Sequence, residues 1–276
     1  MIKDIIISLH IAKYEIKDYI GSPGQILGNT ILIFILVTQF GFIGKSLLGN
    51  FSTESIELHK KNYMIYTMIG IVLWLYFTAL LGSISGFISE KLTRGELESF
   101  FFTPINSSIL YFGIIFMNSL FAVIQLGLIV SIGLFLIGYE INLGVSKIII
   151  LFFTIVITTL SFIGFSLVIA SITILLKNAQ GIVNLIRITT MLVCGVFYPI
   201  TVYPEIVQRF LEMIPLTLAN ILTRELMMKD NIGSIETLFP KLSALMVLSV
   251  LYLILGIILN NVIERIAKKS GTLTQC

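Results

Sequence analysis

The chain has 276 residues, 57% of them hydrophobic and only 12% charged, with a mean hydropathy of +1.01. A soluble domain carries about a quarter charged residues, so this composition excludes an ordinary water-soluble protein and makes the bilayer the expected solvent. The formal charge of +3 is spread through the polar stretches, which excludes the basic stripe of a nucleic-acid binder.

In chain order, the opening Met1-Ile2-Lys3-Asp4-Ile5 carries an acidic residue and no small-residue cleavage site, so it is expected to be retained rather than removed as a signal. Residues 2–20 mix Ile2, Ile5, Ile6, Leu9, Ile16 and Ile20 with Lys3, Asp4, His10, Lys13, Glu15, Lys17 and Asp18. That pattern predicts an amphipathic interfacial helix within residues 1–25, broken by Gly21-Ser22-Pro23-Gly24. A hydrocarbon core about 30 Å thick needs about 20 apolar residues per helical crossing. Six spans are predicted on that basis, over about residues 26–43, 63–88, 107–138, 147–176, 182–198 and 242–262. The fold class is therefore an all-α membrane protein, with one six-helix domain over 26–262 and a tail over 263–276.

Between the fifth and sixth spans, residues 199–240 hold Pro199, Pro204, Pro215 and Pro240. Ile206, Phe210 and Ile214 recur at intervals of four, as do Leu218, Leu222 and Leu226, which predicts two short amphipathic helices on the outer membrane face. Six crossings place both termini on one side. With the ends in the cytoplasm, the inside carries Lys3, Lys13, Lys17, Lys91, Arg94, Lys177, Arg187, Arg265, Lys268 and Lys269. The outside then carries Lys45, Lys60, Lys61, Lys147, Arg209, Arg224, Lys229 and Lys241. Ten against eight is a narrow bias, and the terminal cluster of Arg265, Lys268 and Lys269 is its best anchor.

Enzyme chemistry finds no support. Gly44-Lys45-Ser46 resembles the end of a phosphate-binding loop, but Gln39 stands where the leading glycine belongs and the preceding residues are a membrane helix. The histidines His10 and His59 form no metal-binding cluster, and the cysteines Cys194 and Cys276 give neither a disulfide framework nor a thiolate site. No cofactor is expected in this chain. Charges stay out of the spans, with Arg187 the main exception. Gly82 and Gly86 form a GxxxG pair, read as packing within the subunit.

The most informative stretch is residues 89–106, Ser-Glu-Lys-Leu-Thr-Arg-Gly-Glu-Leu-Glu-Ser-Phe-Phe-Phe-Thr-Pro-Ile-Asn. A solvated loop with Pro104 ending a short helix accounts for the capping. It leaves Phe100-Phe101-Phe102 beside alternating acidic residues unexplained, and a helix charged on one side and aromatic on the other suits docking onto a partner.

This segment resembles the signature of the ABC type-2 transporter permease family through Glu90, Arg94, Gly95, Leu97, Glu98, Thr103 and Pro104. The stretch Cys194-Gly195-Val196-Phe197-Tyr198-Pro199 to Pro204, then Ile214-Pro215-Leu216-Thr217 and Arg224, resembles the family's other marker. Glu96 departs from the Thr or Ser of many relatives. The motif is closer in form to drug, antibiotic or nodulation-factor exporters than to the polysaccharide branch.

The resemblance implies a permease dimer, from two copies or a sister permease, in membrane lipid, with a separate ABC ATPase subunit binding ATP and Mg. It implies export of an amphipathic, lipid-like or drug-like substrate by alternating access. Loop 89–106 becomes the cytoplasmic coupling element, with Glu90, Arg94, Gly95, Glu96, Leu97, Glu98 and Phe100 as ATPase contacts. The first, second and fifth spans would lie near the symmetry axis, which makes Thr38, Gln39, Thr78, Met191, Phe197 and Tyr198 the candidates for the substrate path. The competing readings are a stand-alone secondary transporter, which would need charged or broken helices near the midplane, and a membrane scaffold without transport.

Overall fold

The computed structural model describes residues 54–93, 107–137, 144–176, 179–228 and 235–270, with Gly24, Gly28, Ile31, Ile35, Thr38 and Gln39 as further helical positions. All regular structure among the described residues is helical. The elements are α1 (Glu54–Thr93), α2 (Ser107–Ile137), α3 (Val145–Leu176), α4 (Ala179–Val193), a 3-10 turn (Ile200–Val202), α5 (Glu205–Glu212), α6 (Pro215–Met228) and α7 (Ile235–Ser270). The expected interfacial helix over residues 2–20 lies outside the described residues.

Helices persist through these apolar runs because no proline falls within α1 to α4. Several of their hydroxyls are satisfied locally. Thr67 donates to Tyr63, Ser83 to Leu80, Thr154 to Ile150 and Ser171 to Leu167, so each polar group travels with its own helix into a medium without water. Among the described residues, three windows are long and apolar enough to cross a membrane: Tyr63–Ser83 in α1, Val145–Ile172 in α3 and Leu238–Ile263 in α7. Gly113–Ile124 in α2 and Gly181–Val193 in α4 are shorter apolar helices.

Two boundaries differ from the sequence reading in ways that matter. The fifth span was expected to run to Tyr198, yet α4 stops at Val193 and residues 194–198 are non-helical. Gly195 adopts φ +72°, a left-handed conformation open to glycine, and hydropathy could not register the break because the residues beyond it stay apolar. The sixth span was expected to begin at Leu242, after Pro240. Instead α7 begins at Ile235 and includes Pro240, whose missing N–H forfeits one early helical bond without ending the helix.

The two helices expected on the outer face also part company. α5 presents Ile206 and Phe210 away from the protein and buries Leu211, as a surface helix does. α6 is no surface helix. Pro215 through Asn220 are all buried, and so are Leu222, Thr223, Arg224 and Leu226, because α6 is wedged among α1, α3 and α7. Leu218, Leu222 and Leu226 pack with Leu238 and Leu245 of α7 and with Leu151 and Ile157 of α3. Pro215 at its first helical position costs no hydrogen bond there.

The core is built on α1 and α3. Phe77 meets Phe162 edge to face at 5.0 Å, and the Tyr76 hydroxyl pairs with Thr159 at 2.8 Å. α7 lies along α3, where a Cβ on Gly164 would approach the Leu253 backbone within 3.0 Å and one on Gly256 would meet Leu167 Cβ at 2.6 Å. The two glycines let the backbones touch, the usual basis of tight packing where lipid removes the hydrophobic drive. Away from this seam, α7 exposes Met246, Val247, Val250, Ile254 and Ile258, the face expected of a helix against acyl chains. Gly164→Leu should overpack the seam by about 1–3 kcal/mol and lower the thermal midpoint in detergent. Gly86→Ala, at a site with nothing within 4 Å, should leave that midpoint unchanged.

Candidate functional site

On α1, Gly70, Trp74, Thr78 and Gly82 recur at intervals of four and so form one ridge. This ridge meets α4 and the unwound segment beyond it. At one end, a Cβ on Gly70 would collide with the Val196 carbonyl and the Arg224 guanidinium, so glycine makes the approach possible. Trp74 Nε1 donates to the Arg187 carbonyl at 3.1 Å. The Thr78 carbonyl accepts from Arg187 Nη2 at 3.3 Å, and the Arg187 guanidinium lies over Gly82. Gly82 thus makes room for a side chain, where the sequence pattern implied helix-to-helix packing.

Arg224 of α6 organises the upper part of this face. Its Nε and Nη2 donate to the Tyr66 carbonyl at 3.1 and 2.9 Å, its Nη1 to Gly195, and its Nη2 also to the Val196 carbonyl at 2.8 Å. The guanidinium carbon sits 3.5 Å from the Tyr66 ring centroid, a cation–π contact. Asn220, one turn earlier, donates to the Cys194 carbonyl at 3.1 Å. The three carbonyls released by the end of α4 therefore find donors on α6. Arg224, counted among the outside charges in the sequence, is 7% exposed and fixed between α1 and the unwound segment.

The tyrosines after the break close the same helix end. Tyr198 donates to the Leu192 carbonyl at 2.6 Å and pairs with the Tyr203 hydroxyl at 2.7 Å. Leu192 O is among the last carbonyls of α4, which lack helical partners, so the pair acts as a cap. The bond to Tyr198 pushes the Tyr203 phenol up to about 12, and that ring keeps its proton throughout the physiological range.

The substrate-path candidates are dispersed. Thr78 touches Arg187 through its carbonyl, while its hydroxyl donates to Leu75 on its own helix at 3.0 Å. Met191 is half-buried, one turn beyond Arg187. Phe197 and Tyr198 leave the helix on which they were placed, and the Tyr198 hydroxyl is committed to capping. Thr38 donates to Ile35 at 2.9 Å, and Gln39 is exposed. Of the coupling residues, Glu90 lies in the last turn of α1, while Arg94, Gly95, Glu96, Leu97, Glu98 and Phe100 lie outside the described residues. Sequence reasoning passed over Tyr66 and Gly70 and noted Arg187 only as a charge within a span. The available signal was the four-residue recurrence from Gly70 to Gly86.

Long apolar helices, locally satisfied hydroxyls and a helix broken within an apolar run and re-satisfied by protein define a multi-pass membrane protein of the transporter class. The chain belongs to the ABC-2 type transporter family, whose pattern matches residues 9–228 and ends at the last residue of α6. It is thus the membrane permease component of an ABC transporter and not the ATPase. Comparison with curated proteins finds none that matches the chain.

Arg224→Gln should strip the Gly195 and Val196 carbonyls of their donors and destabilise the protein by on the order of 3 kcal/mol. Arg224→Lys, which keeps the charge but reaches fewer acceptors, should cost less. Chemical denaturation in mixed micelles, followed by Trp74 fluorescence, checks the order.

Proposed function

We propose that this chain is the membrane half of an ATP-driven exporter that moves an amphipathic, lipid-like or drug-like substrate outward by alternating access. The reading takes six crossings with both termini cytoplasmic, a permease dimer formed with a second copy or a sister permease, and two ATPase subunits carrying ATP and Mg. The observation that carries it is the family match across residues 9–228, which includes the coupling signature of residues 89–106.

The form of α1 supports the same reading. Its apolar window, Tyr63–Ser83, spans 21 residues, about the thickness of a hydrocarbon core. The helix nevertheless continues to Thr93, about 15 Å further, and leads directly into the coupling signature. A continuous helix transmits displacement without loss through a flexible joint. ATP favours the closed ATPase pair, and only such differential affinity can shift the membrane halves between inward-open and outward-open states. Arg94, Glu96 and Glu98 would meet the ATPase as polar contacts, with Leu97 and Phe100 as packing anchors.

The test is co-purification with the cognate ATPase in lipid and measurement of its activity. Glu98→Arg combined with Leu97→Asp should abolish association or reduce lipid-dependent hydrolysis at least tenfold, with the permease still folded. Normal stimulation by this double variant would refute the docking role of the loop.

A further inference from the structure

Arg187 sits within the apolar window Gly181–Val193 of α4 and faces Thr78 and Gly82, both within the apolar window of α1. Its guanidinium offers five donors. One described hydrogen bond uses them, the 3.3 Å contact to the Thr78 carbonyl, and the buried Nε has no partner. The described carboxylate side chains are Glu205, Glu212 and Glu225 of α5 and α6, and Glu225 is held by Lys241 at 2.6 Å. None of them faces Arg187. A cation among apolar helices is costly unless its partner arrives from elsewhere, and such a residue marks a binding function.

Contrast with Arg224 sharpens the point. Arg224 spends its donors on three backbone carbonyls and is closed in by Tyr66 and Gly70. Arg187 is only half-buried. Asn184, one turn before it on α4, is exposed, and Gly86, one turn beyond Gly82 on α1, has nothing within 4 Å of a Cβ position. Met191 lies one turn further along α4 on the same side. The result is a cation with unused donors, a neighbouring amide, and apolar space.

We infer that the groove between α1 and α4 at Arg187 binds the phosphate or carboxylate of an amphiphile, with Arg187 taking the oxyanion and the space beside Gly86 taking part of the apolar body. A guanidinium meets such oxyanions in charge-assisted hydrogen bonds, here through a terminal nitrogen. That the groove belongs to the transport route rests on the permease reading; the binding itself does not. The exported substrate would then carry an anionic group on an apolar frame.

The experiment measures equilibrium binding to the purified full-length chain in neutral detergent, without any ATPase. The probes are dihexanoyl phosphatidic acid, dihexanoylglycerol with the same tails but no phosphate, and inorganic phosphate. Wild type should prefer the phosphatidic acid over the glycerol at least tenfold. Arg187→Gln should reduce that preference to within about twofold, Arg187→Lys should retain part of it, and Gly86→Leu should weaken the amphiphile without weakening inorganic phosphate. Inorganic phosphate competing as well as the amphiphile also supports the oxyanion site and assigns it to a free anion. Equal binding of the two lipids, or a preference untouched by Arg187→Gln, overturns the inference. If Arg187→Gln does not fold, unchanged phosphatidic acid affinity in Gly86→Leu overturns it instead. Failure of the wild-type chain to stimulate the ATPase in the separate co-purification assay, with the anion preference intact, refutes the permease reading alone.

Discussion

Backbone amides in a bilayer have no water to fall back on, and the structure turns on how it meets that constraint where α4 gives out. A 15-residue helix rises about 22 Å, short of a hydrocarbon core about 30 Å thick. The chain continues in irregular form through Cys194, Gly195 and Val196, all buried. Such backbone is tolerated at depth only where protein supplies the missing donors. Arg224 and Asn220 do so, which explains why α6 is drawn into the bundle instead of lying on its surface. Gly70 then follows as a necessity of space, and the Tyr66 ring and carbonyl as the other wall of the guanidinium pocket.

Two arginines on one face of α1 are treated in opposite ways. Arg224 has every direction filled and behaves as a structural cross-link between α1, α6 and the unwound segment. Arg187 has one long hydrogen bond and stays half-exposed. The difference lies in the surroundings rather than the residue type, since each guanidinium is apposed to a glycine of α1. Saturated donors fix a fold; unsaturated donors at a groove leave free energy for a ligand.

Much of this architecture was legible in the sequence. Composition and the lengths of the apolar runs gave helices within a few residues for α2 and α3, because a membrane helix announces itself by length. The period-four leucines of the 199–240 stretch fall on α6, although that helix is buried in the bundle. What hydropathy could not show was where a helix stops inside an apolar run, so Phe197 and Tyr198 were placed on α4 although they follow its end. Depth was equally hidden. Arg224 reads as a loop charge because the residues beside it are mixed in polarity, and only the geometry of α6 reveals it as an interior group. The family motifs were readable as residues, among them the proposed coupling residues beyond Glu90.

The seam between α3 and α7 bears on how such a molecule can move. Helices separated by full side chains can slide past one another by exchanging rotamers. Where Gly164 and Gly256 bring two backbones into contact, sliding would drive the neighbouring Leu167 and Leu253 into main-chain atoms. These two helices therefore form a keyed joint that travels as one piece, as dovetailed timbers do. Relative motion within the subunit is left to joints such as that of α1 with α4, which meet through side chains, Trp74 and Arg187 among them.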